Sequence, residues 1–423
     1  MSLSSNGKAG LCEKVYRSFV SHCLVPLITR FLGSIVTGSS EVLRLEIPPI
    51  GKSFLLGGQK KIAANNNENE PVSLSIHNPV HFCWMLLLDQ KIGLGEAYMN
   101  GDWSAHPGIK AFLSSLIRAK KEKASSRPSS HHSAPSLLSL LLSSLSSTLL
   151  SSLRYSVSIY NYIHHRIRDN TILNSRKNIS EHYDLGNDMF ELFLDQSMTY
   201  SCALFEDASK AVDEPVDFAY LEEAQYRKID ALLDTLSLTT KDHVLEIGCG
   251  WGSSAIRAVQ RFGCRWTGLT ISTEQLELAR ERVKEAGLED KIDLKLLDYR
   301  LEGGKYSAVL SVEMIEAVGE KFLPEYFQII HDRLEEGGKA AIQAIVCPDA
   351  YYANYCRSSD FIKKHIFPGG HMPSRGAIQS DLLSLGYSPI FHRKWQFYFA
   401  LCSALFAHDH IDVIQFTLQR ATN

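Results

Sequence analysis

Residues 244–252 read V-L-E-I-G-C-G-W-G, and they restrict the possible folds more than any other stretch. Val244, Leu245 and Ile247 make a short apolar run of strand composition. Gly248, Gly250 and Gly252 follow at alternate positions, and residues 253–262 carry a helical pattern. A strand, a sharp turn and a helix N-terminus in that order leave Cβ-free backbone at the end of a strand, where a ligand can lie close. The spacing is not the G-x-G-x-x-G of a dinucleotide site, and no lysine follows as in a phosphate-gripping loop. Many α/β turns share this pattern, so its surroundings decide its meaning.

Around it, strands and helices alternate. Strand patterns fall at 244–247, 266–269, 292–297, 308–312 and 340–345, and helical patterns at 221–236, 253–262, 272–286 and 325–334. This alternation specifies an α/β fold with a mostly parallel sheet covered by helices on both faces. Ligands of such sheets sit at the carboxyl ends of the strands. Two more strand ends carry polar groups. Ser272 and Gln275 fit a helix capping box; alternatively, Thr270 and Gln275 flank a bound ribose. At 298–300, Asp298 can accept a hydrogen bond from an adenine amino group while Tyr299 covers the ring, or it is an ordinary strand-end aspartate.

The chain has 423 residues, enough for two domains. Its net charge of −3 gives no drive toward nucleic acid. Nine cysteines without a C-x-x-C pair argue for a reducing compartment and against a disulfide framework or a structural zinc site, so no metal is expected. The apolar runs at 24–36 and 82–88 are expected to be too short or interrupted to span a bilayer, and no signal peptide is read at the start. Residues 12–36 suit a helix that either packs in a core or lies on a membrane through Lys14, Arg17 and Arg30. Leu43, Leu45 and Ile47 alternate as a strand face. Residues 119–133 read as a polar, Ser-rich disordered linker with Lys120, Lys121 and Lys123. Residues 136–153, almost only Ser and Leu, are either an amphipathic surface helix or a low-complexity insert.

From residue 176 a set of motifs becomes specific: H-Y-D-L-G-N-D-M-F (182–190), T-Y-S-C-A (199–203), L-E-I-G-C-G-W-G (245–252), G-L-T-I-S-T-E-Q (268–275), D-Y-R (298–300), S-V-E-M-I-E-A-V-G (311–319) and F-P-G-G-H-M-P-S (367–374). With them the chain resembles the cyclopropane-fatty-acyl-phospholipid synthase family of S-adenosylmethionine-dependent methyltransferases, relatives of the mycolic acid cyclopropane synthases. G-L-G-E-A-Y-M-N-G-D-W (93–103) resembles the small N-terminal lipid-binding domain of the longer synthases. The resemblance implies a Rossmann-like methyltransferase domain at 176–423 with an antiparallel last strand. An α+β lipid-binding-like domain at 1–118 and a linker with helices at 119–175 would precede it.

It also implies roles. Tyr200, Ser201, Glu246, Gly248, Gly250, Gly252, Thr270, Gln275, Asp298 and Tyr299 would hold S-adenosylmethionine. The sulfonium methyl would go to a cis double bond of a phospholipid acyl chain, and the resulting cation would lose a proton and close a cyclopropane ring. In this family the base is a bicarbonate gripped by Cys, Glu, His, Tyr and backbone. Cys202 and Glu316 match the first two, Gln343 falls on the His position, and Ile345 lies two residues on. The segment with the family's Tyr has no counterpart between Ile378 and Leu385. Cys402 matches a cysteine once suspected as a nucleophile, although the chemistry needs no covalent intermediate. The implied setting is cytoplasmic and peripheral at a phospholipid membrane. With that segment missing, residues 413–418 are expected as the edge of a six-stranded sheet, able to pair with a second copy as a homodimer. A small-amine methyltransferase and a non-catalytic lipid- or cofactor-binding relative are the competing readings.

Overall fold

The computed structural model describes residues 13–57, 71–125, 155–157, 159–163, 168–172, 174–175, 186–207, 217–384 and 412–419. The Ser/Leu segment at 136–153, the start of the 182–190 motif and Cys402 lie outside them. The chain forms two compact units, Met1–Asn161 and Tyr162–Asn423, and their boundary falls inside the stretch read as linker and helices.

The first unit is α+β. Its sheet has the order β2-β1-β3-β4, from β1 (Val42–Ile47), β2 (Lys52–Gly57), β3 (Val72–Ile76) and β4 (Trp103–His106). β1 and β3 run parallel, and the other pairs are antiparallel. Leu43, Leu45 and Ile47 are fully buried, as their alternation predicts. The motif at 93–103 acts here through packing. A Cβ on Gly93 would lie 2.1 Å from the Met85 carbonyl oxygen, so only glycine lets helices Pro79–Leu88 and Gln90–Met99 approach. Asp102 meets His81 Nδ1 at 2.6 Å, and Trp103 donates to the Leu94 carbonyl at 3.0 Å.

Two expectations change in this unit. Helix Glu13–Val36 is continuous over 24 residues, long and apolar enough by composition to cross a membrane. Val20, Ile28, Leu32 and Val36 bury one of its faces in the unit's core, which favours the packed reading. Residues 119–125 are also not linker: they complete helix Ile109–Ser125, because Ala119 continues the buried stripe begun by Phe112.

The second unit carries a six-stranded sheet in the order β10-β9-β8-β5-β6-β7. Its strands are β5 (His243–Ile247), β6 (Arg265–Thr270), β7 (Ile292–Leu296), β8 (Tyr306–Val312), β9 (Leu334–Val346) and β10 (Asp412–Gln419). All neighbours run parallel except β10, which pairs antiparallel with β9, Val413 opposite Ile345. Among the described residues β10 is the edge, as expected. Two apolar layers cover the sheet. One packs Leu232, Leu236 and Ala258 against Trp266, and the other packs Tyr326, Phe327 and Ile330 against Val309 and Ile342. The strand order reverses at β5, between β6 and β8, which opens a crevice at the carboxyl ends.

Candidate active site

The glycine turn stands at that crevice. Gly248, Gly250 and Gly252 have φ of +82°, +51° and +83°, a region where side chains are strained. The Gly248 and Cys249 amides both donate to the Leu269 carbonyl, at 3.0 and 2.9 Å, which ties the turn to β6. A Cβ on Gly250 would meet nothing within 4 Å, whereas one on Gly248 would lie 2.8 Å from Met314 Cγ. Gly250 therefore presents bare backbone to open space. That space is a cavity of about 1130 Å³, mouth included.

The segment after residue 186 is fastened to this turn. Trp251, buried among Phe190, Leu194 and Met198, donates to Asn187 Oδ1 at 2.7 Å. Arg282 donates to the Trp251 carbonyl at 2.8 Å and to the Gln196 carbonyl at 3.3 Å. Tyr200 and Ser201 thereby reach the cavity wall. Burial, then neighbouring Glu313, pushes the Tyr200 hydroxyl up. Ser201 Oγ accepts from Lys228 Nζ.

Glu246, Gly248, Gly250, Thr270 and Gln275 also line the cavity, as do Asp298 and Tyr299. Gly252 instead caps helix Ser253–Phe262. Gln275 divides its two readings. Its amide is capped by Ser272 Oγ at 3.2 Å, but its side chain does not reach back as a capping box requires. Its Oε1 accepts from Thr270 Oγ1 at 2.9 Å. Asp298 differs from expectation. Arg300 grips both its oxygens, at 2.8 and 2.6 Å, and its Oδ1 and Oδ2 also accept from the Arg300 amide and Ser175 Oγ. Burial alone would raise its pKa; the Arg300 bonds outweigh it and hold Asp298 below the usual range. With both oxygens engaged, the carboxylate shapes the wall and has no ready place for an adenine amino group. The pattern of Asp298-Tyr299-Arg300 hid this because Arg300 turns back onto its neighbour.

Cys202, Glu316, Gln343 and Ile345 are not on the cavity wall, but the structure brings them together beside Glu313, which is. Glu313 Oε1 accepts from the Cys202 amide at 2.9 Å and from Gln343 Nε2 at 2.8 Å. Gln343 Nε2 also donates to the Cys202 carbonyl at 3.1 Å. The Ile345 amide donates to Glu316 Oε1, and Glu316 Oε2 is buried without a partner. Burial pushes Glu316 up to about 8 and also raises the Cys202 thiol, Glu313 adding to both. The fit to bicarbonate fails on these amide donors: both Gln343 amide hydrogens and the Cys202 and Ile345 amides are already committed within the chain.

Lys228 and Glu313 escaped the sequence reading. Lys228 is 1% exposed on helix Phe218–Leu236, and burial lowers it to about 8 against the pull of Glu313. Its signal was a lysine on the buried stripe, four residues after Ala224 and four before Leu232. Glu246, opposite in charge, is pushed up to about 8 by burial, opposed by Trp266 Nε1 at 2.9 Å.

For S-adenosylmethionine the residues fit, because the uncovered Gly250 backbone is a cradle that a Cβ would fill. The profile of the family described as mycolic acid cyclopropane synthetase matches residues 171–390. The chain belongs to this family. As a member of the mycolic acid cyclopropane synthetase family it is an S-adenosylmethionine-dependent methyltransferase of the cyclopropane synthase type, acting in lipid metabolism. It is 35% identical to tuberculostearic acid methyltransferase UfaA1 of Mycobacterium tuberculosis over 82% of this chain and 83% of that one. It is 31% identical to cyclopropane-fatty-acyl-phospholipid synthase of Escherichia coli K12, covering 73% and 69%. Among solved structures, mycolic acid cyclopropane synthase CmaA1 complexed with SAH and CTAB aligns with a TM-score of 0.48 at 25% identity, over 58% of this chain and 98% of that one.

Proposed function

We propose that the protein transfers the S-adenosylmethionine methyl group to the cis double bond of an unsaturated phospholipid acyl chain and closes a cyclopropane ring. The observation that carries the lipid reading is apolar surface leading to the cavity. Leu192 is 79% exposed and Phe193 43%, and the Phe193 ring lies 6.0 Å from Tyr200 on the cavity wall. A site for a small soluble amine has no use for such a surface, whereas an acyl chain leaving a bilayer does. Bound S-adenosylmethionine supplies an electrophilic methyl carbon. Around it, Gly250 leaves room for the ligand, and Tyr200, partly exposed on the cavity wall, offers its ring to a developing cation.

Membrane contact belongs to the same proposal. The protein works at the cytoplasmic face as a peripheral enzyme, with the basic-apolar N-terminal half and Leu192 meeting the lipid. A methyl-branched chain is a second product to consider, because the relative at 35% identity is named a tuberculostearic acid methyltransferase. Both products begin with the same methyl transfer.

The test uses full-length protein and methyl-labelled S-adenosylmethionine with oleoyl phospholipid vesicles, saturated vesicles or a panel of amines. Label in the oleoyl chain alone is expected. Label in an amine, or cofactor binding without any transfer, contradicts the proposal.

A further inference from the structure

The hydrogen bonds at the ends of β8 and β9 commit the Cys202 and Ile345 amides and the Gln343 side-chain amide, and they hold one carboxylate of the chain itself. Glu313 follows β8 directly and has φ +49°, the left-handed region that favours glycine. Such strain costs on the order of 1–3 kcal/mol and persists only where surroundings impose it. Here the Glu313 amide donates to the Gln343 carbonyl at 2.8 Å. Its Oε1 takes the Cys202 and Gln343 donors, while its Oε2 has no hydrogen-bond partner among the described residues. One oxygen is thus fixed, and the residue lines the cavity next to the glycine turn. Burial pushes neighbouring Glu316 up to about 8, with Glu313 adding to the rise. Buried Lys228 lies on the same wall.

We propose that Glu313 is the base that removes the proton from the transferred methyl group, in place of a bound bicarbonate. This rests on the acyl-chain reading above. The double-bond electrons form a bond to the methyl carbon as its bond to sulfur breaks, the pair remaining on sulfur. A C–H bond of that methyl then breaks. Its proton passes to Glu313, and its electron pair joins the cationic carbon to close the ring. Protonated Glu313 returns the proton to solvent.

The experiment follows methyl label and ring product from oleoyl phospholipid vesicles, with wild type, Glu313→Gln and Glu313→Gly, in CO2-stripped buffer and with added bicarbonate. Cofactor affinity is measured by calorimetry on each protein. Wild type is expected to form ring equally in both buffers. Glu313→Gln should bind cofactor normally and lose ring product by a factor of about 10² or more. Glu313→Gly suits the backbone angle and frees the Cys202 and Gln343 donors, so bicarbonate should restore part of its ring formation. Rescue by an added base is a response that a merely structural glutamate would not give. Dependence of wild type on bicarbonate overturns the proposal. So does undiminished ring formation by Glu313→Gln, failure of bicarbonate to rescue Glu313→Gly, or loss of cofactor binding in Glu313→Gln. Absence of label transfer by wild type defeats the acyl-chain reading instead.

Discussion

The two halves of the strand-end crevice are built differently. Toward β6 and β7, the wall comes from turns a few residues long: glycines at positive φ, Thr270 on Gln275, Arg300 on Asp298. Toward β8 and β9, Glu313 on the wall is held from behind by groups far apart in sequence. Cys202 meets Glu313 across 111 residues, and Gln343 meets the Cys202 carbonyl across 141. The first half offers preformed backbone and short polar pairs, which suits a large ligand held by shape. The second half gathers ionisable groups: Glu313 on the wall, with Glu316 and buried Lys228 beside it. Binding and proton transfer should therefore separate when each half is altered alone.

The largest effect is expected from Gly250→Val. At φ +51° a β-branched residue adds about 1–3 kcal/mol of strain, and its methyl groups enter the open space where the ligand lies. Cofactor affinity by calorimetry should fall about a hundredfold or more, equal to roughly 2.8 kcal/mol, with the circular dichroism spectrum retained. Unchanged affinity would remove the glycine turn from the ligand.

The legibility of the molecule follows the same division. The glycine turn and the β5–β9 alternation were readable because their signals are local: apolar runs, glycines and helix periodicity. The β10 edge was expected only from the family resemblance and its missing segment. The first half of β9 was missed, since Glu335, Glu336, Gly337 and Gly338 carry no strand signal and enter the sheet across a register shift at Tyr306 and Ala308. Residues 119–125 read as linker because the charged end of helix Ile109–Ser125 masks Ala119 on the buried face. The engaged state of Gln343 was beyond reach from sequence, because its partners come from three distant segments.

A smaller effect compares one buried carboxyl from each half. Glu246 and Glu316 both rise from 4.5 to about 8 through burial. The folded state then holds protons that the unfolded chain releases above pH 4.5. Their contribution is full below that pH and is lost as pH rises toward 8. Glu246→Gln and Glu316→Gln remove this titration. Denaturation of wild type relative to each variant should lose on the order of 2 kcal/mol between pH 5 and pH 7.5. Parallel pH profiles for wild type and variant would mean that the carboxyl is already charged.

The smallest expected change in the folded protein is at Leu192, 79% exposed. Leu192→Glu should leave stability within about 0.5 kcal/mol, yet weaken vesicle flotation and turnover on phospholipid. Equal flotation would move the membrane contact elsewhere.

The most direct measurement of the central claim uses S-adenosylmethionine with a trideuterated methyl group and oleoyl phospholipid vesicles, followed by mass analysis of the acyl chain. The account expects one added carbon that keeps two of the three deuterium atoms, because the proton lost comes from the transferred methyl. An unlabelled acyl chain in the presence of bound cofactor, or a chain keeping all three deuterium atoms, would contradict it.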